Sequence, residues 1–170
     1  MRFATFCTAL GLALAATTVA ANAESVRLLG DFRDWSSYAS ADSSTGAVCF
    51  SLTKPKTVEP QPDGYTQAHL YITHRPAENI KNEFNLVAGF AFQPDSTATI
   101  TVGGQSFTLF TQNDTAWLDD ANQSDNLASA IRAGSSMVVE GTTAGGIKVV
   151  ENFSLSGATA AAKAINDECK

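Results

Sequence analysis

The feature that most constrains the fold of this chain is a strict alternation of apolar and polar residues around a glycine pair. Ala98, Ile100 and Val102 alternate with threonines. Gly103-Gly104 follows, and a second alternating segment begins after it. A period of two places one side of each strand against a core. Two central glycines accept the positive φ angles of a type I′ turn, so the pattern predicts a β-hairpin.

Further strands are predicted along most of the chain. Phe84, Leu86, Ala88, Phe90 and Phe92 recur at period two and indicate one long half-buried strand. The other predicted strands are residues 26–38, 47–52, 68–75, 137–140 and 147–155. Prolines at positions 55, 60 and 62 favour extended backbone in the segment 54–65 and exclude a central strand there.

Two short segments change to a helical period. Ser124 and Ser156 are predicted helix N-caps, and Gly134 stands where the first helix is expected to end. Many short strands with Gly and Pro turns predict a mainly β fold. We expect a single antiparallel sandwich-like or barrel-like domain with a short helix and a C-terminal helix.

The N-terminus has the pattern of a secretory signal. Arg2 precedes an apolar run over residues 3–19, and Ala21-Asn22-Ala23 supplies the small residues of a cleavage site. Cleavage is expected between Ala23 and Glu24, which divides the chain into a signal peptide, 1–23, and a domain, 24–170. Since no second apolar run of this length follows, we expect no membrane insertion after cleavage.

The cysteines predict one disulfide. Cys7 leaves with the signal peptide, so Cys49 and Cys169 remain of the three cysteines. Two cysteines in an oxidising compartment most simply form one bond, with two free thiols as the alternative. A metal site is not expected, because two cysteines without nearby histidines cannot complete a tetrahedral shell.

Charge excludes some classes of partner. Loss of Arg2 leaves ten basic residues against 17 acidic ones, a net charge of −7. An acidic chain without a basic run lacks the electrostatic footprint for nucleic acid or anionic lipid. We also find no glycine-rich phosphate loop, and we expect no cofactor.

No catalytic constellation is recognisable. His69 and His74 are five residues apart on one predicted strand, and this odd spacing places them on opposite faces. There is no G-x-S-x-G sequence, and Asp119-Asp120 lies in a polar segment typical of a solvated turn. We therefore predict no catalytic residues.

Two segments are candidate contact surfaces. The first is the polar connection 74–83, which contains Arg75; the second is 111–117, with Asp114 and Trp117. Loops on a rigid scaffold often carry function. The alternatives are a solvated loop for the first segment and a core position for Trp117.

These residues together resemble the invasion-associated locus B proteins of α-proteobacteria. The resemblance extends in order over nearly all of residues 24–170. The matching segments are 48–56 (VCFSLTKPK), 71–78 (YITHRPAE), 81–83 (KNE), 89–96 (GFAFQPDS), 107–112 (FTLFTQ), 116–117 (AW) and 154–157 (SLSG), followed by Cys169.

The resemblance implies a periplasmic or envelope-associated protein, linked in some bacteria to entry into host cells. Outer-membrane association or secretion is compatible with it. It implies no catalytic residues and no cofactor, so the expected partner is an unknown envelope or host protein. Two alternatives remain open: an envelope hydrolase, which needs a cleft where a histidine meets a carboxylate, and an inhibitor or chaperone-like partner of another envelope protein.

Overall fold

The computed structural model describes residues 25–42 and 46–170. This part of the chain is mainly β, with two α-helices and two short 3₁₀ turns. The strands are β1 (Ser25–Phe32), β2 (Trp35–Asp42), β3 (Gly46–Thr53), β4 (Pro55–Glu59), β5 (His69–Arg75), β6 (Ile80–Val87), β7 (Thr97–Val102), β8 (Gln105–Gln112), β9 (Thr115–Leu118), β10 (Ser136–Thr142) and β11 (Lys148–Ser154). The helices are α1 (Ser124–Ala133) and α2 (Ala158–Glu168).

The strands form one curled antiparallel sheet, a half-barrel. Its order is β1-β2-β3-β5-β6-β9-β8-β7-β10-β11-β4. Only Lys54 separates β3, which pairs with β2 and β5, from β4, which pairs with β11. One extended segment, β3 and β4, therefore contributes a strand near each end of the strand order. The curl also brings Trp35 on β2 to β11, where its indole N–H donates to the carbonyl of Ser154 at 3.1 Å.

The core lies between the inner face of the sheet and the two helices. α2 packs on β1, β2 and β3, and α1 packs on β6 and β7. Every second residue of a strand faces this core, and so do helix residues spaced three or four apart. Among the largest fully buried side chains are Trp35, Phe84, Phe153, Leu70, Leu86, Ile100, Leu109, Leu127, Met137 and Ile165.

The predicted disulfide joins Cys49 to Cys169, with 5.9 Å between the two Cα atoms. Cys49 is fully buried on β3, and Cys169 caps the end of α2. The bond therefore fastens the last turn of α2 to an inner strand of the sheet. The pairing predicted from cysteine number is confirmed.

The hairpin predicted around Gly103-Gly104 is confirmed. β7 and β8 pair in register from Val102 with Gln105 to Thr97 with Phe110, and both glycines have positive φ. The closing hairpin of β10 and β11 is also present. The two helices lie where their spacing predicts, and α1 ends before Gly134 as expected, but the two predicted N-caps are wrong. Gln123 and Gly157 hold the N-cap positions, without a side-chain hydrogen bond.

The long strand predicted from Phe84 to Phe92 is wrong in its second half. β6 ends at Val87, and Gly89 adopts φ +74 beside the backbone of Thr66. A Cβ atom at Gly89 would overlap the Thr66 carbonyl oxygen. Glycine therefore allows the chain to turn here against the backbone of Thr66. Phe92 is still buried, but it lies outside β6 and pairs with Thr143 in an isolated β-bridge.

Three other boundaries differ from the prediction. The segment 26–38 is the hairpin of β1 and β2, with Arg33 at φ 60 in its turn. The connection predicted at 74–83 is mostly strand, since β5 continues to Arg75 and β6 begins at Ile80. The proline-rich segment contains β4, which pairs with a single neighbour, β11, among the described strands. That placement agrees with the exclusion of proline from central strands.

A candidate contact face on the outer side of the sheet

Aromatic side chains cover part of the outer side of the sheet. On each strand they alternate with residues that face the core: Phe50 lies between buried Cys49 and Ser51, and Trp117 between buried Ala116 and Leu118. The period of two that buries one set of side chains therefore turns the other set outward. We call this set the outer aromatic face; its members are Tyr38, Phe50, Tyr71, Phe110 and Trp117.

Strand register places these rings in contact. Trp117 on β9 is opposite Phe110 on β8, and their rings stack with centroids 5.2 Å apart and planes 18° apart. Tyr38 and Phe50 form a second stacked pair, with centroids 5.3 Å apart. Tyr71 lies 6.2 Å from Phe50, centroid to centroid. Such cross-strand pairs stabilise the sheet and hold the rings in fixed positions.

Two depressions adjoin Trp117. The larger, of about 590 Å³, crosses β3, β5, β6 and β9 and is lined by Phe50, Tyr71 and Trp117. The smaller, of about 340 Å³, lies between β6, β8, β9 and the beginning of α1. Glu83 and Trp117 line both. Trp117 is therefore a ridge between two concave surfaces, each within the size range of ligand sites.

An ion-pair network borders the larger depression. Nη2 of Arg75 lies 2.6 Å from Oε1 of Glu83, and its Nε lies 3.3 Å from Oε1 of Glu78. All three side chains are partly exposed, so the network fixes geometry more than it adds to stability. One cation shared by two carboxylates leaves this group with a net negative charge.

The structure brings together two of the three contact residues predicted from sequence. Arg75 and Trp117 line the same depression, so Trp117 is a half-buried surface residue and not a core position. Asp114 lies apart from them in the turn between β8 and β9, and it lines neither depression. There its carboxylate accepts a hydrogen bond from the Thr115 hydroxyl, and its carbonyl accepts one from the amide of Ala88.

Sequence reasoning missed the other rings of this face. Phe50, Tyr71 and Phe110 each stand at an outward position of a strand, where a soluble sheet usually carries polar residues. Once the outward-facing positions of each strand are known, these aromatic residues can be recognised as departures from the usual polar pattern. Which rings become neighbours depends on strand order, however, and the sequence does not show that order.

The histidines lie on opposite faces of β5, as the odd spacing predicts. His69 is outward and partly exposed, whereas His74 is buried. Nδ1 of His74 accepts a hydrogen bond from the amide of Asn82 at 3.2 Å, and Nε2 has no partner among the described residues. Burial, aided by the charge of Lys81, lowers the pKa of His74 to about 4. Asp125 bonds to the Asn82 side chain and not to the imidazole.

Glu151 is the other unusual ionisable group. It lies on the inner side of β11 opposite Val139 and Val58, and its side chain is 1% exposed. Neither carboxyl oxygen has a hydrogen-bond partner within the described ranges. Burial raises the pKa of Glu151 to about 8, so the carboxyl is largely protonated at neutral pH. No signal in the sequence distinguishes Glu151 from a surface glutamate.

Within the described ranges, no group of three or more His, Cys, Asp or Glu side chains is placed to hold a metal ion. No described helix is both long and apolar enough to cross a bilayer.

These features define a class: a disulfide-bonded domain built from one curled antiparallel sheet, with two helices on its inner side and an aromatic outer face. The chain belongs to the invasion associated locus B (IalB) protein family, whose model matches residues 35–166. The family resemblance seen in the sequence is thus confirmed. No curated protein matches the sequence significantly.

The fold is also similar to a crystal structure of invasion associated protein B from Bartonella henselae. The TM-score is 0.58 at 14% sequence identity, and the alignment covers 82% of this chain and 96% of that chain. At this identity the similarity shows a shared fold.

Proposed function

We propose that this protein is a non-catalytic component of the bacterial cell envelope that acts through protein–protein contacts made by its outer aromatic face. It is exported to the periplasm by the signal peptide, residues 1–23, which is then removed, and outer-membrane association or secretion is compatible with the same route. The name of the Bartonella protein, invasion associated, supports a role at the envelope or in contact with a host.

Two observations support export. The first is the leader, with its apolar run and the small residues before Glu24. The second is the Cys49–Cys169 bond, because structural disulfides persist in oxidising compartments. N-terminal sequencing of the protein from a periplasmic extract is expected to begin at Glu24, and a sequence beginning at Met1 would contradict this step.

The observation that carries the contact function is the position of Trp117. A tryptophan that stacks on Phe110, lines two depressions and remains accessible has the properties of an interface anchor. Trp, Tyr and Arg are the residues most enriched among interface hot spots. All three types lie together here, as Trp117, Tyr71 and Arg75.

The hydrolase alternative requires a histidine that meets a carboxylate in a cleft. His74 receives a hydrogen bond from a backbone amide instead, and its second nitrogen is buried. His69 lies beside the ring of Tyr71 at 6.2 Å. The described residues therefore favour contact over catalysis. An inhibitor or chaperone-like partner would be one form of the contact function.

Site-specific photocrosslinking in the producing bacterium tests the proposal. A photoreactive amino acid at Gln112, which is exposed and lines the smaller depression, is expected to give a discrete adduct with one envelope protein. The same amino acid at Lys148, an exposed position on β11, is the matched control and is expected to give none. Addition of Trp117→Ala to the Gln112 probe is expected to abolish the adduct.

An identical adduct pattern at both positions would show that the crosslinks follow exposure and not the aromatic face. An adduct that survives Trp117→Ala would also contradict the proposal.

A further inference from the structure

The charges around the outer aromatic face indicate what kind of segment it binds. A third depression, of about 170 Å³, adjoins the smaller one at Leu118 and is lined by Asp119 and Asp120. Together with Glu83, three carboxylates line the three adjoining depressions. Among the residues that line them, Arg75 is the one cation, and it is already paired with Glu83 and Glu78. The surface is therefore aromatic and negatively charged.

We propose that the outer aromatic face binds an extended peptide segment rich in arginine or lysine, with the cationic side chains on the rings of Trp117 and Tyr71 and against Glu83, Asp119 and Asp120. This inference rests on the proposed contact function and specifies the partner's chemistry. Cations are attracted to the faces of Trp, Tyr and Phe rings, and more strongly where the site is partly shielded from water. Neighbouring carboxylates add a Coulomb attraction that a neutral ligand does not receive.

The dimensions fit a peptide that crosses the strands. From Phe50 on β3 through β5, β6 and β9 to Phe110 on β8 there are four strand spacings. At about 4.8 Å each they span about 19 Å. An extended peptide covers that distance with about six residues. A segment with cations at alternate positions directs them all toward the sheet, because alternate side chains of an extended chain share one side.

The charge of the whole chain acts in the same direction. Its formal net charge is −6, and an acidic surface raises the association rate of cationic partners at low ionic strength. This long-range attraction is not specific to the face. A test must therefore separate binding at Trp117 from binding elsewhere on the acidic surface.

Proton–nitrogen NMR of the two indole N–H groups makes this separation. Trp117 reports on the face, whereas the buried Trp35 indole, bonded to Ser154, serves as an internal reference. The protein, expressed from the full sequence, is titrated with a capped RGRGRG peptide. We expect a saturable shift of the Trp117 resonance, no shift of the Trp35 resonance, and no response to an EGEGEG peptide. Raising NaCl from about 0.05 to about 0.5 M is expected to weaken binding at least about five-fold.

Two matched substitutions test the charge directly. Glu83→Gln removes a carboxylate from the face and leaves Arg75 paired only with Glu78, so it is expected to weaken RGRGRG binding by about five-fold or more. Glu140→Gln makes the same change of charge at an exposed position on β10 and is expected to change affinity less than about two-fold.

Three results would overturn the inference. The first is that the RGRGRG peptide does not shift the Trp117 resonance. The second is that isothermal titration calorimetry gives the peptide the same affinity for a Trp117→Ala variant as for the wild type. The third is that a neutral N-acetylglucosamine hexamer shifts the resonance where the peptide does not, which would identify a glycan site. If the Gln112 crosslink persists while the peptide fails, the contact function stands and the cationic partner does not. If neither the Gln112 crosslink nor peptide binding is observed, the proposed contact function is also wrong.

Discussion

Cys49 on β3 is bonded to Cys169, which lies 120 residues later at the end of α2. The bond closes most of the described domain into one loop, and it lies beside buried His74, which is opposite Cys49 in register. Because α2 covers β1, β2 and β3, the bond holds in place the element that completes this part of the core.

Loss of this bond is expected to destabilise the domain by about 2–4 kcal/mol, because a long loop regains conformational entropy in the unfolded chain. Guanidinium unfolding of the oxidised protein, the reduced protein and the Cys49→Ala/Cys169→Ala variant measures the effect. The variant and the reduced protein are expected to unfold at similar midpoints, both below that of the oxidised protein. Equal midpoints with and without reductant would contradict the prediction.

Glu151 is expected to make stability fall as pH rises. Its pKa is raised from 4.5 to about 8, so its contribution is complete below pH 4.5 and is lost progressively up to about pH 8. Glu151→Gln keeps the neutral shape and is expected to be more stable than the wild type at pH 8, by a few kcal/mol. Urea unfolding at pH 4.5 and pH 8 compares the two proteins. Glu140→Gln, an exposed carboxylate on neighbouring β10, is the control and is expected to show no such gain.

His74 is expected to act in the opposite direction. Its pKa is lowered from 6.5 to about 4, so its contribution is present above pH 6.5 and is lost as pH falls toward 4. The contributions of His74 and Glu151 therefore oppose each other between pH 4.5 and 6.5, and stability falls mainly above that range. His74→Leu is expected to cost about 1–3 kcal/mol at neutral pH, because the side chain no longer offers an acceptor to the Asn82 amide. The cost should shrink as pH approaches 4; a constant cost would show that His74 is not buried in its neutral form.

The two tryptophans are expected to differ in their effect on stability. Trp117→Ala removes a half-buried ring and its stack on Phe110, at a cost of about 1–2 kcal/mol. Trp35→Ala opens a cavity in the core and leaves the Ser154 carbonyl without its donor, at a cost of about 3–5 kcal/mol. Denaturant midpoints of the two variants give the comparison. A larger loss for Trp117→Ala would place that ring in the core and weaken its assignment to a contact face.

Gly157 is expected to tolerate no side chain. Its φ is +98, and a Cβ atom would overlap the carbonyl oxygen of Phe32, where the end of β1 meets the beginning of α2. Gly157→Ala is expected to cost about 2–4 kcal/mol, from strain and from displacement of the helix. Gly104→Ala is the matched control: it also has positive φ, but nothing lies within 4 Å, so about 1 kcal/mol is expected. Thermal unfolding of both variants tests the difference, and equal losses would show that backbone strain alone accounts for Gly157.

Local sequence predicted those elements whose pattern is complete within a few residues. The hairpin at Gly103-Gly104 and the two helices follow from spacing and turn chemistry alone. The end of β6 was not predicted, because the chain turns at Gly89 to pack against Thr66. A hydrophobic pattern does not reveal such a contact between distant residues. β9 was not predicted either, for a related reason. It has four residues, and its pairing with β6 and β8 defines it.

The sequence by itself was enough to predict a mainly β chain, a disulfide between Cys49 and Cys169, and a resemblance to the IalB proteins. Tertiary structure alone decided which side chains share a surface. Arg75 and Trp117 are 42 positions apart, and the strand order β5-β6-β9 makes them line one depression. Periodicity sets which side of a strand a residue occupies, but neighbours across a sheet are fixed by non-local pairing. The outer aromatic face therefore follows from pairing and not from any single motif.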